Sequence, residues 1–122
     1  MTSRRVAALC LAAACVSLAF ALFMAFDNTR VDVSVSDIGD EGPAGAVGCV
    51  VAPWDAVLNN NSAGPGGEHS QPYFEEVASD CYAANKSRFA IAVASGVVAF
   101  LLLSVGGVLA LRSHRPVLAT SD

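Results

Sequence analysis

Apolar positions fall into two uninterrupted blocks. Val6–Phe26 is 21 residues without a charge, and Phe89–Leu111 is 23 residues without one. A bilayer's hydrocarbon core is about 30 Å thick and takes about 20 helical residues at 1.5 Å each. Both blocks therefore predict spanning helices. Between them the pattern switches to alternation. Val31-Asp32-Val33-Ser34-Val35-Ser36 makes every second residue apolar, which predicts a half-buried strand. Gly39-Asp40-Glu41-Gly42-Pro43 breaks it with turn residues. Ala46–Ala52 is a second short apolar run, expected to be extended, which carries Cys49 and ends at Pro53-Trp54-Asp55.

Residues 59–72 have the composition of a loop, from Asn59-Asn60-Asn61-Ser62 through Gly64-Pro65-Gly66-Gly67. Pro72 suits the first turn of a helix, and Glu75 and Glu76 favour its positive N-terminal end. Phe74, Val77 and Cys81 share a face at helical spacing. No breaker follows before Phe89, so one helix is expected from about Tyr73 through the second apolar block.

Composition agrees with this reading. The chain has 122 residues, 54% of them hydrophobic and 15% charged, where a soluble domain has about 45–50% apolar residues. Mean hydropathy is +0.53. A soluble enzyme with a large core, a nucleic-acid binder, a coiled coil and a disordered tail are all excluded. The first block is too long for the apolar run of about 7–15 residues in a cleaved signal. It ends in bulky Leu22-Phe23-Met24-Ala25-Phe26, so it reads as an uncleaved anchor. Ser3-Arg4-Arg5 continues poorly as a twin-arginine signal. A lipoprotein cleavage at Cys15, after Leu11-Ala12-Ala13-Ala14, would leave a second apolar run behind.

Charge orients the hairpin. Residues 27–88 hold ten of the eleven acids and only Arg30, Lys86 and Arg88 as bases, a net of −7. The tails hold Arg4, Arg5, Arg112 and Arg115. Arginine beside a spanning helix tends to stay in the cytoplasm. Both termini are therefore expected inside and the acidic middle outside. Lys86 and Arg88 pull against this, and the first helix decides, with Arg4 and Arg5 on one side and Asp27 on the other.

Within the first block, Ala13, Ser17, Ala21 and Ala25 place a small residue at every fourth position; the second block has Ala92 and Gly96, with Gly106 and Gly107 farther on. Small residues at this spacing let helix backbones approach closely, which drives association in lipid. They read either as a helix-packing face, a hairpin seam or a docking face for another membrane protein, or as alanine filling a helix in an alanine-rich genome. Neither block contains an ionisable Asp, Glu, Lys, Arg or His, the groups that ion paths and proton relays normally need.

Cys10 and Cys15 lie in the first apolar block and read as small apolar residues. Cys49 and Cys81 lie between the blocks, 32 residues apart. An oxidising extracytoplasmic compartment favours a disulfide between them. A loop of that size is worth ~3–4 kcal/mol in the chain-entropy model, and a 62-residue segment has little core of its own. A redox-active pair is the sharper alternative, but the Cys-x-x-Cys spacing at a helix start is missing. A metal site from Cys49, Cys81, His69 and Glu68 lacks the tight ligand pairs that zinc favours. No catalytic set, metal site or cofactor is assigned. Asn60-Asn61-Ser62 and Asn85-Lys86-Ser87 fit the glycosylation sequon.

The expected fold is a mainly α membrane protein. It is a two-helix transmembrane hairpin with a small disulfide-stapled extracytoplasmic segment, which contains short β-strands and a helix continuous with the second transmembrane helix. The segments are a cytoplasmic N-terminus (1–5), the first helix (6–26), an acidic extracytoplasmic loop domain (27–88), the second helix (89–111) and a basic cytoplasmic tail (112–122). The layout resembles a broad group of small two-pass membrane proteins of actinobacteria. The features that carry the resemblance are Cys49-Val50-Val51-Ala52-Pro53 and Cys81 followed by Asn85-Lys86-Ser87-Arg88. It implies the same topology and the same disulfide, and it carries no catalytic residue across. The functional expectation is a non-catalytic accessory subunit of a larger cell-envelope complex (respiratory, secretory or cell-wall-building) in the plasma membrane. A homo-oligomeric pore of holin type and an envelope thiol-disulfide oxidoreductase are the alternatives.

Overall fold

A computed structural model describes residues 3–34 and 42–113. Its elements are α1 (Ser3–Phe26), β1 (Arg30–Val33), β2 (Gly45–Gly48), α2 (Pro53–Leu58) and α3 (Gln71–Ser113). α1 and α3 are long and apolar enough to cross a bilayer, with mean hydropathies of 2.6 and 2.4 over their most apolar stretches. The chain divides into two compact units, one of residues 1–20 with 94–122 and the other of residues 21–93. Arg115 lies outside the described residues, as do Val35, Ser36 and most of the Gly39–Pro43 turn.

In the first unit the helices meet through small side chains. On α1, Ala7 and Ala14 are buried and Cys10 and Ser17 half-buried. On α3, Ala99 and Gly106 are buried, with Ser95, Leu102 and Leu109 half-buried. Both series step alternately by three and four residues, the 3.5-residue spacing that keeps a seam facing its partner. The packing is tight at Gly106, where a Cβ would lie 3.2 Å from Cys10 Cβ and 3.3 Å from Leu11 Cγ. The larger side chains point away, with Val16 71% and Phe100 69% exposed.

The buried seam does not coincide with the stripe of every fourth residue. At 3.6 residues per turn, each four-residue step overshoots a full turn by ~40°, so three steps rotate the stripe by ~120°. Ala13 is accordingly exposed, and Ala14 takes the buried place in that turn. Ser17 lies on the seam. Gly96 is half-buried, but nothing lies within 4 Å of where its Cβ would be, so the close approach belongs to Gly106.

The second unit has a different construction. β1 and β2 pair antiparallel, with Val31 opposite Val47 and Val33 opposite Gly45. The alternation read along β1 holds: Arg30 and Asp32 are exposed, Val31 is half-buried and Val33 buried. Val33, Cys49, Tyr73, Val77 and Cys81 form the core, with Val31 and Val47 packed against it. Ala21 and Ala92 are buried in this unit and Ala25 is half-buried.

α3 starts two residues ahead of Tyr73 and runs 43 residues. Ser70 caps its start, its Oγ accepting from the Tyr73 amide at 3.4 Å, as hydroxyl residues do at this position. The buried face runs through Tyr73, Val77, Cys81 and Asn85, four residues apart, with Phe74 at its edge. The Tyr73 hydroxyl donates to the Pro43 carbonyl at 3.1 Å. Its ring lies so near Gly42 that a Cβ there would come within 2.5 Å of it. Only glycine fits at that position.

The helix α2 replaces the expected stop at Pro53. Ala52 is extended, with φ −71° and ψ 151°, as the residue before a proline tends to be. Pro53 then opens the helix, whose first-turn site tolerates the missing amide hydrogen. The Asp55 and Ala56 amides donate to the Ala52 carbonyl at 3.1 and 3.0 Å. The Asp55 carboxylate accepts from Asn59 and Asn61, tying the start of the 59–70 loop to α2.

Candidate functional site

One stripe of α3 carries most of the distinctive chemistry of the second unit. Its successive turns present Val77, Cys81, Asn85 and Arg88. Cys81 is bonded to Cys49, with 5.7 Å between their Cα atoms. The two cysteines are 1% and 2% exposed. The bond closes the 32-residue separation between the end of β2 and the middle of the helix.

One turn on, the Asn85 side chain is 1% exposed and fully engaged. Its Nδ2 donates to the Val51 carbonyl at 3.0 Å, and its Oδ1 accepts from the Thr29 hydroxyl. The Thr29 carbonyl in turn accepts from the Cys49 amide at 2.8 Å. A single buried amide thus ties α3 to the segment leaving α1 and to the segment leaving β2. Such a group is costly to bury unless its partners are met; here both ends are met. The burial also removes Asn85 as a glycosylation acceptor. Asn60, in the other sequon, is exposed, and its Oδ1 accepts from the Tyr82 hydroxyl at 3.3 Å.

No protein-family model, curated protein or solved structure matches this chain.

Arg88 follows Asn85 on the same stripe. Its Nη2 lies 3.4 Å from the Asp27 carboxylate, and its Nη1 donates to the Asn28 carbonyl at 3.5 Å. The guanidinium carbon stands 5.6 Å from the centre of the Phe23 ring, within the range of a cation–π contact. Its Nε is buried with no hydrogen-bond partner. Beside it opens a groove of about 760 Å³. Its lining includes Met24, Asp27, Asn28, Arg30, Cys49 and Arg88. Trp54 of α2 packs on Phe26, the last residue of α1, with 6.1 Å between ring centres.

The remaining sequence candidates are dispersed. Arg4, Arg5 and Arg112 are exposed, and Arg112 sits in the last turn of α3, the negative end of its dipole. Glu68, Glu75, Glu76 and Asp80 are all exposed. His69 stacks on Tyr73 and Phe74, with ring centres 4.7 and 5.7 Å away. Among the described residues, no three His, Cys, Asp or Glu side chains come together as a metal site would need. Sequence reasoning passed over the roles of Asn85, Thr29 and Arg88. The available signal was the spacing: Asn85 lies four residues after Cys81 and eight after Val77. That puts a polar side chain on the buried face of the helix.

Proposed function

We propose that this chain is a non-catalytic accessory subunit of a larger cell-envelope membrane complex. Its two long helices form a hairpin across the plasma membrane, with both termini in the cytoplasm. Residues 27–88 stand outside as a disulfide-stapled acidic domain. The observation that carries the reading is where the apolar side chains go. Only 17% of the most apolar stretch of each long helix is buried within the protein. The core helix of a soluble domain buries its apolar surface against its own chain. Here Leu9, Val16, Phe100 and Leu101 face outward and need lipid or another protein.

The stapled domain fits the same role. Its disulfide is buried beneath strand and helix, which supports a structural bond over a reactive one, since exchange needs an accessible sulfur. The pore reading would need a polar stripe to line a water path. Among the described residues the seam of the first unit is mostly alanine, glycine and leucine, with Cys10, Ser17 and Ser95 as its few polar or sulfur-bearing members and no Asp, Glu, Lys, Arg or His among them.

The test is purification of the full chain from its own membrane in mild detergent, with mass spectrometry of what accompanies it. A photo-crosslinking residue at Phe100 or Leu101 reports the neighbour in place. The expected result is one set of larger membrane subunits in fixed ratio, crosslinked at both positions. A self-associated ring with no other subunit overturns the reading in favour of the pore.

A further inference from the structure

We propose that the groove beside Arg88 holds the phosphate of an anionic phospholipid headgroup, with Arg30 and Arg88 as its cationic walls. The inference rests on the membrane placement proposed above. Two independent observations carry it. The first is the distribution of charge. All three bases of segment 27–88, namely Arg30, Lys86 and Arg88, lie within four residues of an apolar block. Of its ten acids only Asp27 does. A domain of net −7 therefore gathers its positive charge where the chain meets the bilayer surface, which is where basic residues gain from anionic lipid.

The second observation is the geometry. Arg30 and Arg88 line one groove together with Asn28, Thr29, Gly48, Cys49 and Val50. Among the described residues Asp27 supplies the only carboxylate of its lining, against the two cations Arg30 and Arg88. Among the described residues no acid pairs with Arg30, and its side chain is exposed. The polar contacts of Arg88 to protein are long, at 3.4 and 3.5 Å. A guanidinium has five donors in a fork that suits phosphate oxygens, so Arg88 has hydrogen-bonding capacity left over. The Trp54–Phe26 pair belongs to the same unit, at the end of α1. Aromatic rings of this kind settle at headgroup level. The arrangement also accounts for Lys86 and Arg88 standing on the outer side against the usual charge bias: they serve the headgroup layer.

The test uses the full chain in nanodiscs of equal phosphatidylglycerol and phosphatidylcholine, released into native mass spectrometry to identify retained lipid. Retained lipid should be enriched in phosphatidylglycerol about fivefold, the gain expected for one arginine near an anionic surface. Arg30→Gln should bring the ratio close to one, and Arg30→Lys should keep most of the preference. Among the described residues the exposed Arg30 side chain makes no hydrogen bond or ion pair, so these variants remain interpretable even if Arg88→Gln misfolds. Retention without preference, or an unchanged preference in Arg30→Gln, overturns the proposal. Displacement of the lipid by millimolar inorganic phosphate overturns the lipid as occupant. Refusal of the chain to enter discs of either composition, with or without phosphatidylglycerol, overturns the membrane placement itself, and this inference with it.

Discussion

The two units of the chain hold themselves together by different means. The unit built from residues 1–20 and 94–122 has no disulfide among its described residues. It relies on small side chains at a seam stepping by three and four, with Gly106 against Cys10. The unit of residues 21–93 has a covalent staple, a buried amide with both ends satisfied, and a tyrosine hydrogen-bonded across the core. The difference follows from what each can bury. A long apolar helix pair needs only close backbone approach, because its outward side chains suit an apolar surrounding. A small polar segment cannot bury enough surface to offset its chain entropy, and it needs cross-links and specific hydrogen bonds.

That contrast can be broken at its strongest point first. Cys81→Ser, or reduction of the wild-type bond, should cost the second unit about 3–4 kcal/mol. Limited proteolysis should then cut within residues 27–70 while α1 and the apolar part of α3 stay protected. Equal loss of protection in both units would show that they are not separately stabilised. Asn85→Ala comes next. It leaves the Val51 carbonyl and the Thr29 hydroxyl without their buried partner, at about 1–3 kcal/mol for each group stranded. Thermal unfolding followed by Trp54 fluorescence should show a lower midpoint with the disulfide intact.

Gly106→Ile tests the other unit. A branched side chain has no room against Cys10 and Leu11, and overpacking of this kind costs about 1–3 kcal/mol. Protection of α1 from proteolysis in detergent should fall, while the Cys49–Cys81 bond still forms. The smallest effect is expected at the ion pair. Asp27 is half exposed, at 52% for its side chain, and surface pairs are worth about 0–1 kcal/mol. Asp27→Asn should shift the midpoint of the second unit by no more than that. A larger shift would mark Arg88 as a structural cation of the core.

The extent of legibility differs along the chain in the same way. The two long apolar helices followed from uninterrupted runs, a signal that needs no partner to interpret. The alternation of Val31, Asp32 and Val33 located β1, because a strand's period of two is local. The start of α3 was legible within two residues, although its cap, Ser70, went unread. α2 was missed because Pro53 ends one element and opens another, and only the flanking geometry distinguishes the two. The every-fourth-residue stripe and the buried seam part at Ala13. Which face of a helix is buried depends on the drift accumulated over several turns, and a four-residue rule applied to a long helix loses register.

By itself, the sequence determined where apolar character concentrates, which cysteines stand between the two apolar blocks, and how charge is distributed around those blocks. These are properties of single segments. Tertiary structure alone decided that Ala14 and Gly106, rather than Ala13 and Gly96, carry the close contacts. It also decided that Asn85 is a buried clamp rather than a surface sequon, and that Arg30 and Arg88 share one groove. Each of these outcomes joins residues more than 50 positions apart in sequence. The physical reason is that burial and hydrogen-bond partnership belong to pairs of surfaces, and a pair exists only once the chain has brought its two members together.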